Sequence, residues 1–332
     1  MSNRFRVVVT DFIAGDLGPE RQILSEVADL VALDAYSEDD LRGRVEDADA
    51  LMLYHNVEIR QPTIERLSRC KLIVRCGVGY DNVDHQFARS RGIPVANVPD
   101  YGTEEVADSA IGLALALTRG IHLFNSLYRS DTREGWTFLA GAPLFRLRGR
   151  LFGVIGLGRI GSATALRARA LGMDVVFHDP YKPDGFDKAL GIRRVDTLDE
   201  LLRQAFVVSL HTPLTQETRG LIDANAISRM PRGSFLVNTA RGAVVDTAAI
   251  PPAIASGHLA GAGIDVLPIE PPRADDPLIR AWRDPSHPAH HRVIVNPHSA
   301  FYSEEGLLDM RIKGAKAVRN ALLGRPLLNV VN

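Results

Sequence analysis

Three stretches in the second half of the chain carry residues that could bind a carboxylate and exchange a proton with a carbonyl oxygen. They are "LVNTARGAVVD", "GAGIDVLPIEPP" and "VIVNPHSAFYS", and they contain Arg241, Asp265, Glu270 and His298. Each follows a short apolar run that reads as a strand, and ligands of open α/β sheets bind outside the carboxyl ends of strands. The planar fork of Arg241 suits a carboxylate or a polarised oxygen. His298 can give a proton to an oxygen while the attached carbon is reduced, and take it back in reverse. Glu270 can orient that ring and stabilise its protonated form. Taken singly, each residue has a plainer reading. An arginine after a strand commonly caps or solvates, "EPP" alone is a turn, and a histidine after "NP" can cap the next element. Only their joint placement beside a coenzyme fold favours chemistry.

That fold is announced by "FGVIGLGRIGSATALRARALGMDVVFHDPY", Phe152 to Tyr181. Gly156, Gly158 and Gly161, with Leu157, Arg159 and Ile160 between them, have the G-x-G-x-x-G spacing of a dinucleotide loop. The first glycine permits the tight turn. The second lets backbone N–H groups approach a pyrophosphate at a helix N-terminus, and the third lets helix and strand pack closely. An apolar strand precedes the loop, an amphipathic helix follows, and a second strand ends at Asp179, 18 residues beyond Gly161. The Asp179 carboxylate would accept bonds from ribose hydroxyls and repel a 2′-phosphate, favouring NAD over NADP. Lys182 nearby weakens that preference.

The elements that must position these groups alternate along nearly the whole chain. "FRVVV", "ALML", "KLIVR" and "IPVAN" read as buried strands with helical patterns such as "PTIERLSR" and "VDHQFARSR" between them. A second series comprises "LFGVIGL", "DVVFHD", "FVVSLHTP", "GSFLVNTA", "GAGIDV" and "RVIVNPH". Alternation of this kind implies parallel sheets covered on both faces. The length of 332 residues suits two such domains. Two long helical patterns, one from Thr103 through "IHLFNSLYR" and one from Ser303, lie at the borders of the second series. A net charge of −1 with no basic block leaves no nucleic-acid footprint. Cys70 and Cys76 lack zinc spacing and read as reduced core thiols. The histidines His287, His290 and His291 read as a solvated loop, not a metal site. No signal-peptide or bilayer-length apolar run is present, so a cytoplasmic protein is expected.

In order, "GLGRIG", Asp179, "HTPLTQET", "NTARG", "GIDVLPIEP" and "NPHSA" resemble the D-isomer-specific 2-hydroxyacid dehydrogenases over nearly the whole chain. The strings "LIVRCGVGYDNVD", "EEVADS", "DPYKPDG" and "HSAFYSEE" are similar to the C-terminal-binding protein branch. The resemblance implies two doubly wound α/β domains, a Rossmann NAD domain over residues 103–301 inserted into a flavodoxin-like substrate domain of residues 1–102 and 302–332. It implies NAD as cofactor, no metal, a small 2-oxo or 2-hydroxy acid as substrate, and a homodimer formed mainly through the NAD domains. By the same likeness Arg241, Glu270 and His298 are catalytic, and Asp265 sits by the nicotinamide. Thr212, Pro213 and Thr218 fall on the adenosine side. Thr239, Ala240 and Arg241 fall on the nicotinamide side, and the loop of Arg75, Val78 and Gly79 meets the substrate carboxylate, with Val78 also beside the coenzyme. An arginine at the position of Arg75 touches substrate in the C-terminal-binding protein branch. Glu270 separates the chain from the formate dehydrogenase branch, which has glutamine there. Phe301 stands where the branch has tryptophan, and Val78 where it has serine, so the pocket is expected to differ in shape. Substrate preference is expected to depend on Tyr54, His55, Arg75, Phe301 and Trp136. Trp136 reads either as a buried packing residue or as one that reaches the partner subunit. An NAD(H)-responsive, corepressor-like binding protein is the rival reading. The chain stops at "LLNVVN" without a long tail, which favours a compact enzyme. Another NAD enzyme on a related fold, such as an adenosylhomocysteine hydrolase, lacks the ordered "ARG", "EP" and "PH" series and ranks last.

Overall fold

The computed structural model describes residues 4–141 and 143–332. The chain divides into two compact units. One runs to Gly102 and resumes over Ser303–Asn332, and the other is Thr103–Tyr302.

The first unit holds five strands: β1 (Phe5–Val9), β2 (Ala28–Ala32), β3 (Ala50–Leu53), β4 (Ile73–Arg75) and β5 (Val95–Asn97). All pair in parallel, in the order β2-β1-β3-β4-β5. This is the flavodoxin-like order. Val7, Val8, Val9 and the whole of β3 are buried, as expected of central parallel strands covered on both faces. The edge strand β2 reads "ADLVA"; its Asp29 and mixed exposure hide it from an apolar-run search. The last helix, Glu304–Leu322, completes this unit. Ser303 caps it, its Oγ accepting from Gly306 N at 2.8 Å. Gly314 lets this helix approach the sheet: a Cβ there would lie 2.6 Å from Cys76 Sγ. Both cysteines are free thiols, and burial pushes each up to about 12, so neither is a ready nucleophile.

The second unit holds β6 (Leu151–Ile155), β7 (Asp174–His178), β8 (Arg193–Arg194), β9 (Val207–Leu210), β10 (Ser234–Asn238), β11 (Leu259–Ile264) and β12 (Val293–Val295). These also pair in parallel, in the order β12-β11-β10-β9-β6-β7-β8. The strand order reverses between β6 and β9, and such a switch point opens a crevice at the carboxyl ends of the strands.

One expectation is corrected here. The helical pattern from Thr103 is two helices, Thr103–Thr118 and Ile121–Ser130, bent by 58°. Gly120 adopts the left-handed conformation with φ +62, which ends the first helix. The loop histidines are half-buried within an otherwise largely exposed loop: His290 Nδ1 lies 2.7 Å from Trp282 O, and His291 Nδ1 lies 3.3 Å from Ser126 Oγ. Among the described residues no single helix is long and apolar enough to cross a membrane.

The helix Glu304–Leu322 is tied to the helix Gly18–Leu24 by a buried ion pair. Arg311 Nε donates to Glu20 Oε1 at 2.7 Å and Nη2 to Oε2 at 2.6 Å, with Glu20 fully enclosed. Arg311→Met strands a buried carboxylate and is expected to cost about 3 kcal/mol. Removing both charges, in Glu20→Leu/Arg311→Met, is expected to restore most of it. Urea midpoints measure the difference, and equal midpoints for the single and double variants would refute the account.

Candidate active site

The glycine loop leaves β6 at the switch point and enters the helix Arg159–Ala170. Gly156 has φ +87, and a Cβ on it would lie 2.8 Å from His211 O. A Cβ on Gly161 would lie 2.0 Å from Gly156 O, so the turn and helix touch there. At Gly158 an added Cβ meets nothing within 4 Å. Gly158 is the N-cap and supplies no side-chain acceptor, which leaves the first helical N–H groups for an anion. Asp179, just past β7, is buried. Its Oδ2 accepts from Leu157 N at 2.8 Å and its Oδ1 from Tyr181 N at 3.0 Å. This carboxylate therefore anchors the glycine loop to the end of β7.

The loop after β9 begins with His211 and Thr212. His211 Nε2 lies 2.9 Å from Ser209 Oγ, and burial pushes the imidazole down to about 3, so it stays neutral. Thr218 Oγ1 donates to Pro213 O at 2.6 Å and accepts from Thr215 N at 2.8 Å, bracing the loop. Three enclosed polar atoms, His211 Nδ1, Thr212 Oγ1 and Thr239 Oγ1, have no hydrogen-bond partner among the described residues. They sit past the ends of β9 and β10. Orphaned polar atoms, an open Gly158 and an uncapped helix start are what a dinucleotide would satisfy, so the residues fit NAD.

Beyond β10, β11 and β12 lie Arg241, Glu270 and His298. His298 Nδ1 is 2.7 Å from Glu270 Oε2. Glu270 Oε1 accepts from Leu267 N at 2.8 Å. Burial pushes the Glu270 carboxyl up, but the His298 hydrogen bond and charge, the Leu267 N–H and the Arg241 charge together hold it below its ordinary value. A carboxylate only accepts, so Nδ1 carries the hydrogen of this bond. His298 itself is left-handed, with φ +53, and its N–H donates to Asp265 O at 2.7 Å. Arg241 follows β10, and its Nη1 donates to Ala240 O at 2.8 Å. A Cβ on Gly242 would lie 1.9 Å from Leu267 C, so the Arg241 and Glu270 loops are in direct contact.

Asp265 has a role that spacing did not reveal. Its carboxylate accepts from Ser299 N at 2.9 Å and Ala300 N at 3.1 Å, so it holds the His298 turn. Asn238 was missed altogether. It ends β10 fully buried, its Nδ2 donating to Arg241 O at 2.9 Å and its Oδ1 accepting from Ala240 N at 3.0 Å. A polar residue closing the apolar run "SFLV" was its available signal.

In the first unit, Arg75 ends β4 with its side chain buried and its Nη1 donating to Cys76 O at 3.1 Å. Gly77 has φ +152, and a Cβ on it would lie 1.4 Å from Arg75 Nη1, so the guanidinium folds into the space that only glycine leaves. Asn97 Nδ2 donates to Val78 O at 2.7 Å, which fixes the loop carrying Val78 and Gly79. Tyr54 is wholly buried, its ring 5.6 Å from that of Phe12, so its side chain belongs to the core of the first unit. Trp136 is 77% exposed, which excludes the buried packing reading.

Residues 111–300 match the family described as "D-isomer specific 2-hydroxyacid dehydrogenase, NAD binding domain". The chain belongs to the D-isomer-specific 2-hydroxyacid dehydrogenase family. It is 34% identical to C-terminal-binding protein 1 of Caenorhabditis elegans over 93% of this chain and 42% of that protein. It is 33% identical to D-3-phosphoglycerate dehydrogenase of Methanocaldococcus jannaschii over 98% of this chain and 59% of that protein. The chain thus spans 42% and 59% of the lengths of these two curated relatives. Its fold superposes with a TM-score of 0.84 on D-lactate dehydrogenase of Aquifex aeolicus complexed with NAD and lactic acid, at 28% identity over 96% of each chain.

Gly158→Ala and Gly161→Ala separate binding from folding within one loop. Gly158→Ala is expected to leave Tm unchanged and raise the Kd for NADH tenfold or more, about 1.4 kcal/mol. Gly161→Ala is expected to lower Tm as well, because its Cβ has no room. Thermal melts and fluorescence titration read both, and a lowered Tm in Gly158→Ala would contradict the open geometry.

Proposed function

We propose that the chain is an NAD-dependent D-2-hydroxyacid dehydrogenase that works as a 2-oxoacid reductase or in reverse. The observation that carries the reading is the His298–Glu270 hydrogen bond of 2.7 Å beside the charge of Arg241, past the strand ends of an NAD-binding domain. The chemistry that NAD supplies when bound is hydride transfer at its nicotinamide ring. His298 Nε2 gives a proton to the substrate oxygen as C2 is reduced and recovers it in the oxidative direction. Glu270 keeps Nδ1 protonated and stabilises the charged ring. Arg241 holds the substrate carboxylate. In this reading the first unit is the substrate domain, with Arg75 and the Val78 and Gly79 backbone as further carboxylate contacts. A small 2-hydroxy acid is proposed by likeness to the Aquifex aeolicus structure, which holds lactic acid. The two unpaired thiols suit a reducing compartment, the cytoplasm.

A homodimer belongs to the same proposal. Ile121, Trp136, Phe138 and Leu139 are exposed together around the helix Ile121–Ser130, and exposed apolar patches of this kind mark interfaces. The rival reading, a corepressor-like binding protein, draws on the likeness to C-terminal-binding protein 1. Turnover with a panel of 2-oxoacids, set against pull-down by a partner peptide, separates the two.

His298→Ala is expected to lower kcat by about 10²- to 10⁴-fold while the Kd for NADH stays within about twofold. Near-normal turnover would end the assignment. Glu270 lies below its ordinary value and is ionised throughout the neutral range. Glu270→Gln therefore removes a charge that favours the protonated ring, and the alkaline limb of the reduction profile is expected to move to lower pH. An unmoved limb would refute the pairing. Phe138→Asp/Leu139→Asp is expected to convert a dimer into a monomer by light scattering, and a monomeric parent chain would refute the interface.

A further inference from the structure

The strands β9, β6 and β7 are neighbours in that order, so the loops after them converge on one crevice. The middle loop is the glycine loop. The loop after β7 carries Asp179 and Tyr181, and the loop after β9 carries Glu217. The Tyr181 hydroxyl donates to Glu217 Oε2, clasping the two outer loops across the middle one. Both ends of the clasp are braced. Tyr181 N is bonded to Asp179 Oδ1, and the Glu217 loop is pinned by the Thr215 and Thr218 hydrogen bonds.

We infer that Glu217, held by Tyr181, is a second specificity-determining carboxylate which, with Asp179, excludes a coenzyme bearing a 2′-phosphate. The inference rests on the reading of Asp179 as the ribose-binding acid. Tyr181 is 75% exposed, so its ring is not held by burial in the core, and its hydroxyl is held by Glu217. The Glu217 hydrogen bond and charge, then slight burial and the Asp179 charge, push the Tyr181 phenol above its ordinary value, and Tyr181 is bonded to both acids, through its hydroxyl to Glu217 and through its N–H to Asp179. A 2′-phosphate brought to this place would meet two negative charges.

The cations of the same segment are already engaged with the chain. Lys182 Nζ lies over the Phe186 ring, 5.1 Å from its centroid. Arg194 donates through Nη1 to Lys182 O at 3.1 Å and through Nη2 to Asp179 O at 3.3 Å, and its Nη1 is 3.7 Å from Asp184 Oδ1. Arg194 therefore braces the Asp179–Lys182 turn by its main chain.

The test measures Kd for NADH and for NADPH by fluorescence titration on the full chain, the Glu217→Gln variant and the Tyr181→Phe variant, at low and high salt. Glutamine keeps an acceptor for the Tyr181 hydroxyl and removes the charge. The Kd for NADPH is expected to fall about three- to tenfold in Glu217→Gln at low ionic strength, with NADH within about twofold. The gain is expected to shrink at high salt. Tyr181→Phe keeps the charge on an untethered side chain and is expected to give a smaller gain in the same direction. An unchanged NADPH-to-NADH ratio in Glu217→Gln, or equal weakening of both coenzymes, would overturn the clasp as a charge filter. Binding of neither coenzyme by the parent chain would instead overturn the coenzyme reading, and this inference with it.

Discussion

The hydrogen bonds from Ser299 and Ala300 N–H to the Asp265 carboxylate hold the one turn on which the proposed chemistry depends. That turn places His298 in the left-handed region, at φ +53. A residue with a side chain resists this conformation by about 1–2 kcal/mol. Hydrogen bonds to a charged acceptor contribute about 1.5–3 kcal/mol each and offset this strain, against the cost of burying the acid. The result is an imidazole delivered to Glu270 by backbone geometry and then locked by its own hydrogen bond. Without the acid, the chain would relax toward an ordinary turn and the ring would leave its partner.

The same device recurs at the carboxyl edges of both sheets. Asp11 lies just past β1, and its carboxylate accepts from Tyr54 N at 2.9 Å and Asn56 N at 2.7 Å, beyond the neighbouring strand β3. Asp179 lies just past β7 and accepts from Leu157 N, beyond the neighbouring β6. Asp265 lies just past β11 and serves the loop beyond β12. In each case a buried carboxylate collects the N–H groups that the neighbouring strand leaves unpaired as it turns away. A parallel sheet sends all its functional loops to one edge, and these acids make that edge rigid. Two of the three were visible in the sequence only as candidate ligand contacts, and their structural task was not.

What could be read from the sequence was what is local. The glycine loop, its flanking strand and helix, and the apolar central strands obey short-range rules of spacing and sterics. The Ser303 cap is equally local, since serine followed by two acids is a helix-start signal. Features set by distant partners were hidden. Tyr54 looks like a pocket residue in "LMLYHN" until the packing around it is known. Asn238 acts on a loop whose need for a staple no spacing reveals, and the Tyr181–Glu217 clasp joins residues far apart in the chain. The break at Gly120 was hidden for another reason: the apolar pattern continues in phase across it, so periodicity overrode a lone glycine. The return of the last helix to the first unit rested on family resemblance alone, because strand alternation is the same for continuous and discontinuous domains.

The two acids beside His298 pull the stability of the fold in opposite directions with pH. Burial raises the Asp265 carboxyl, although its Ala300 and Ser299 hydrogen bonds and the His298 charge oppose this. A raised carboxyl contributes stability that is present below its unfolded value and lost as pH rises through its folded one. Glu270 is depressed, so its contribution is present above the unfolded value and lost as pH falls through the folded one. At neutral pH the fold thus bears a net cost at Asp265 and a gain at Glu270. Asp11 and Asp179 make the same kind of backbone contacts, so the buried acid at Asp265 is first of all a staple for its turn. What sets Asp265 apart is the imidazole beside it, whose charge draws down both carboxyls. The desolvation cost at Asp265 thus accompanies a turn that holds the His298 ring against Glu270.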